Sequence, residues 1–114
     1  ALGKIYAHAQ GAEKNDTEAV RWHRLAAEQG LPEAQLNLAL RYHQGKGVAK
    51  NDQEAARWYR LAAEQGFPKA QLSLGDMYDH GEGVEKNEKE AAQWYRLAAE
   101  QGLADAQFNL GSMS

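Results

Sequence analysis

The chain has 114 residues, a net charge of −3 and no cysteine. That length suits one domain of ordinary size, and the absence of cysteine excludes disulfides, thiolate metal sites and cysteine nucleophiles. No concentrated run of Lys or Arg offers nucleic acid a positive face, and no stretch reaches the ~18 apolar residues of a membrane helix.

Taken in chain order, Gly and Pro mark the predicted elements. A first helix is expected over 1–9, then a loop AQGAEKN, then a second helix over 16–29 that closes on Gly30. The next pair spans 32–44 and 52–65, begins at Pro32, and is joined by the loop GKGVAKN. A third pair spans 68–80 and 88–101, begins at Pro68, and a lone helix follows over 104–114. Gly45, Gly81 and the three LAAEQG glycines supply the left-handed residue that ends a helix, and Pro is well placed in a first turn. Asn15, Asn51 and Asn87 are the expected N-caps, with Glu18, Glu54 and Glu90 three residues on as in a capping box.

Trp22, Trp58 and Trp94 recur every 36 residues, and most of the sequence around them recurs too. Such a period marks a stacked repeat array. The units run approximately over 1–33, 34–69 and 70–105, with a partial unit over 106–114. One unit cannot bury its own apolar face, so the units must share a continuous core as a single domain. In the second helix of a pair, Ala55, Trp58, Tyr59 and Ala62 form a core-facing stripe. In the first helix, Ala34, Leu38 and Tyr42 share a face, and Ala39 and Gly75 suggest close backbone contact. The chain starts at Ala1 without Met and stops at Ser114 inside a repeating motif, so a piece of a longer protein is expected.

Ala70, Leu74, Gly75 and Tyr78, then Gly81, Gly83 and Val84, then Ala91, Trp94, Tyr95, Ala98, Ala99 and Gly102 trace a specific pattern. It resembles the Sel-one-like repeat family, relatives of the tetratricopeptide solenoids, over essentially the whole chain. Ala39 departs from it where Gly is usual; Ala9, Ala12 and His23 depart from it in the first unit, where they are expected to loosen the first loop. The resemblance implies an all-α, right-handed superhelical solenoid of antiparallel helix pairs. It also implies a non-catalytic adaptor in the bacterial cytoplasm or cell envelope, similar to the family's cysteine-free members.

Residues that vary between units at accessible positions are free to encode a partner. On the first helix of each pair one stripe varies: Asn37, Leu40, Arg41 and Gln44 in the second unit, and Ser73, Asp76, Met77 and His80 in the third. Lys4, Ile5 and His8 remain of it in the first. By resemblance this stripe lines the concave side, where a protein or peptide would bind. Arg21, Arg57 and Arg24 or Arg60 are expected to solubilise the other face or to pair with Glu. The alternative reading is a structural spacer, or self-association through the exposed ends of the stack. His8, His23, His43 and His80 form no H-E-x-x-H pattern, and GKG and GEG lack phosphate-loop spacing. No catalysis, cofactor, metal, nucleic acid or membrane insertion is expected.

Overall fold

The structure is a computed structural model that describes residues 9–113, with side chains from 15 onward. Among these residues all regular structure is helical: α1 (Ala9–Glu28), α2 (Pro32–Gln44), α3 (Asp52–Glu64), α4 (Pro68–His80), α5 (Glu88–Glu100) and α6 (Ala104–Ser112). Each helix packs chiefly on its neighbours in sequence, most extensively within the pairs α2/α3 and α4/α5. The result is a solenoid of stacked antiparallel pairs, with extents of 51 × 23 × 23 Å.

The helix stops work as the sequence implies. Gly45 and Gly81 take φ of 67° and 70° and donate back to the Arg41 and Met77 carbonyls. Asn51 and Asn87 accept from the amides of Glu54 and Glu90 at 3.1 Å. The reciprocal half of the expected capping box is not made with the cap amides. The Asn51 and Asn87 amides instead donate to the Tyr42 and Tyr78 carbonyls at 2.9 Å, tying each loop to the helix before it.

One expectation fails at the first unit. Residues 9–15 were expected as a loop capped by Asn15, but α1 runs through them unbroken. Ala9 stands where Gly45 and Gly81 turn the later units, and Ala12 replaces the apolar Val48 and Val84. Without the left-handed glycine or the valine, Ala, Glu and Lys favour helix. The helix expected over 1–9 lies outside the described residues except for Ala9.

The core follows the two apolar stripes. Leu38, Ala39, Ala55, Ala62, Leu74, Ala91 and Ala98 are fully enclosed. A Cβ on Gly75 would lie 2.7 Å from the Tyr95 ring, so this position permits the close approach of α4 and α5. Trp58 is 5% exposed in the middle of the stack, Trp94 is half-buried, and Trp22 is 67% exposed. The core-facing stripe expected through Trp58 therefore holds at the centre, while its equivalent Trp22 is exposed; the helix expected before it, over 1–8, lies outside the described residues.

Polar ladders join the units as well. Gln35 and Gln71 are buried, and donate to the Ala27 and Ala63 carbonyls at 3.1 and 3.2 Å. Their side-chain oxygens accept from Gln65 and Gln101 at 2.8 and 2.9 Å. Each buried amide is thereby satisfied at both ends. Arg24 donates to the Tyr42 hydroxyl at 2.7 Å, and Arg60 repeats the bond to Tyr78. Their guanidinium groups lie 5.6 and 5.5 Å from the ring centres. Of the arginines expected to solubilise this side or pair with Glu, Arg24 and Arg60 each reach the tyrosine of the next unit instead, while Arg57 meets Glu54 at 3.6 Å.

Candidate functional site

The varying stripe on α2 and α4 borders two cavities that meet. The larger, about 630 Å³, is lined by residues of α2, α4, α5 and α6, the loop after α4, and Met113. The smaller, about 180 Å³, continues it between α2 and α4. His43, Asp76 and Glu82 line both, so together they form one groove.

Of the expected contact residues, Leu40, Ser73, Asp76 and Met77 border the smaller cavity, and Asp76 and His80 the larger. Met77 is only 3% exposed. Most of its side chain packs in the core, and it meets the smaller cavity only as part of the wall. Leu40 is half-buried against the same core. Asn37, Arg41 and Gln44 line neither cavity, and Lys4, Ile5 and His8 lie outside the described residues.

Arg41 stands on the varying stripe expected to face a partner. Instead its Nη1 sits 2.8 Å from Asp16 Oδ1, with the side chains 21% and 23% exposed. The pair joins α2 to α1. Arg41→Glu would therefore set two like charges together, and a loss of about 1 kcal/mol is expected. Combining Arg41→Glu with Asp16→Arg should recover most of the loss in thermal denaturation.

Asp76 is the polar centre of the groove. Its Oδ1 accepts from the Tyr95 hydroxyl at 2.5 Å and from Asn109 Nδ2 at 3.3 Å. His80 holds the Asp76 backbone carbonyl at 2.8 Å. Burial raises the Asp76 carboxyl above its usual 3.8, a rise opposed in part by the Tyr95 bond. Burial also pushes the Tyr59 phenol up to about 12, and burial and the Asp76 carboxylate push Tyr95 up. A carboxyl raised on folding stabilises most below its unfolded value, and that contribution is lost as pH rises through the folded value. Asp76→Asn, which keeps an oxygen for Tyr95, should therefore be more stable than the parent at pH ~7, with the gap closing below 3.8. Melting temperatures across that range check it.

A second cluster escapes the sequence reading. Ligand atoms of His43, Asp52 and Glu82 all lie within 4.8 Å of one another. His43 Nδ1 is 2.8 Å from Asp52 Oδ1, and Lys50 Nζ is 3.3 Å from that oxygen while donating to the His43 carbonyl at 2.7 Å. The imidazole bond and the ammonium hold Asp52 below the usual carboxylate value. Lys50 already supplies positive charge to Asp52, so the cluster reads as an ion-pair network within the second unit, with Glu82 of the third unit beside it.

The sequence reading also passed over Asn109, Ser112 and Met113, which line the larger cavity from α6 and the residue after it. The signal was present: they stand 36 residues after Ser73, Asp76 and Met77.

A Sel1 repeat profile matches residues 1–31, 32–67, 68–103 and 104–114, and its last three boundaries fall at or beside the first residues of α2, α4 and α6. The chain belongs to the Sel1 repeat family. Its structure is similar to c5321, a protective antigen of uropathogenic Escherichia coli strains that displays an SLR fold. The TM-score is 0.86 at 44% identity, over 98% of this chain and 24% of that one. A Sel1 repeat protein from Oxalobacter formigenes matches with TM-score 0.83 and 47% identity, over 96% of this chain and 45% of its own. Helicobacter pylori cysteine rich protein B matches with TM-score 0.76 and 31% identity, over 80% and 68%. The chain thus spans less than half the length of the first two. No curated protein sequence matches it. The Sel1 repeat fold generally serves protein–protein interaction.

Proposed function

We propose that this Sel1 repeat domain binds a protein or peptide segment along the groove formed by α2, α4 and α6, the concave face of its solenoid. The observation that carries this reading is the pair of adjoining cavities on the side where equivalent residues differ from unit to unit. The scaffold positions are nearly constant, while Leu40, Asp76 and Ser112 occupy one register and carry three chemistries. A surface built that way distinguishes partners without disturbing the stack.

Peptides selected on this domain from a random library provide the test. Ser73→Arg fills the smaller cavity with its own side chain, whereas Gln93→Arg lies on an exposed part of α5 outside both cavities. Calorimetric affinity should fall at least about tenfold for Ser73→Arg, the scale of one lost interface contact, and stay level for Gln93→Arg. Circular dichroism melts confirm that both variants fold. Equal affinities would move the site elsewhere, first to the cavity at the α4–α5 loop lined by Tyr78, Val84 and Glu90.

A further inference from the structure

Among the described residues, the larger cavity is lined by four carboxylates, Asp76, Asp79, Glu82 and Glu88, with His43 and His80 and no lysine or arginine. Both side-chain bonds of Asp76 come from neutral donors, Tyr95 and Asn109, and both fall on Oδ1. Tyr95 is 1% exposed, so the phenol that aims this carboxylate is itself fixed in the core. The neighbouring acids are served differently. Asp52 has Lys50 and His43, Glu88 has Lys86 at 3.8 Å, and Asp16 has Arg41. No ion pair reaches Asp76 among the described residues. Burial raises its carboxyl, and the Tyr95 bond and the nearby His80 imidazole offset only part of that rise.

Resting on the groove reading above, we infer that the bound segment presents an arginine side chain to this cavity. The guanidinium meets the Asp76 carboxylate, and Asp79, Glu82 and Glu88 surround it. The planar fork of arginine can bond a carboxylate through two parallel N–H groups, which a lysine ammonium cannot do. The cavity's about 630 Å³ gives it room.

Equal-length peptides alternating glycine with arginine, lysine or glutamate are the probes. They are titrated at physiological salt, where contacts beyond roughly 8 Å are screened. The arginine peptide should bind most tightly, the lysine peptide more weakly, and the glutamate peptide not at all. Asp79→Asn with Glu82→Gln should weaken the arginine peptide about tenfold, as loss of charge-assisted contacts does. Glu28→Gln with Glu64→Gln makes the same change in net charge at exposed positions outside both cavities and should leave affinity within about twofold. Equal losses in the two double variants would mean attraction to net charge alone and would overturn the inference. Nitrogen-15 shift maps separate the two readings. A selected peptide without basic residues that perturbs Leu40, Ser73 and Asn109 keeps the groove and removes the arginine. An arginine peptide that perturbs only the outward surfaces of α3 and α5 removes both.

Discussion

Trp58→Ala should cost about 3–5 kcal/mol of stability, the usual range for emptying a buried aromatic site. Trp58 is 5% exposed and packs among Ala55, Ala62 and the neighbouring units, which cannot close in without moving whole helices. Gln53→Ala, on the exposed side of the same helix, should stay within about 0.5 kcal/mol. A third variant sharpens the comparison. The Trp58 indole Nε1 is buried without a hydrogen-bond partner. Such an orphaned donor costs about 1–3 kcal/mol. Trp58→Phe removes that donor while keeping most of the ring, so it should lose far less than Trp58→Ala. Denaturant titrations of all three give the order; equal losses for Trp58→Ala and Gln53→Ala would contradict the packing described.

Gly83→Ala should be nearly as damaging, at about 2–4 kcal/mol, combining left-handed strain with overpacking. Gly83 has φ of 71°, and a Cβ there would run into the Asp52 backbone carbonyl of the preceding unit. Gly47 sits over Asp16 in the same way. These loop glycines let each unit settle on the second helix of the unit before it. Gly66 is the control: its φ is 89°, but a Cβ would meet nothing within 4 Å. Gly66→Ala should cost about 1–2 kcal/mol, the backbone term alone. Thermal melts that rank Gly66→Ala at or above Gly83→Ala would place the inter-unit contact elsewhere.

The sequence carries the repeat architecture because its signals are local. Pro32, Asn51, Gly66, Pro68, Asn87 and Gly102 bound helices whose observed ends lie within a residue or two of those expected. The same logic explains the failure at residues 9–15, where the period predicts a loop but Ala9 and Ala12 no longer encode one. The groove is only partly legible. Helical spacing puts Leu40, Arg41, Asp76 and Met77 on neighbouring faces, but spacing alone does not say which side chain turns inward. Met77 enters the core, and its equivalent Arg41 is held by Asp16, a residue from another unit. The Gln35 and Gln71 ladder was hidden because a glutamine looks like surface until its neighbours are known. The acidic cavity draws Asp79, Glu82 and Glu88 from a helix, a loop and the next helix, and only the folded stack brings them to Asp76.

The most direct test of the groove is a crystal structure of this domain with a peptide selected to bind it. The account places the peptide along α2, α4 and α6, touching Leu40, Ser73 and Asn109, with an arginine at Asp76. A peptide seated on the outward surfaces of α3 and α5, or against the α4–α5 loop at Val84 and Glu90, would contradict it.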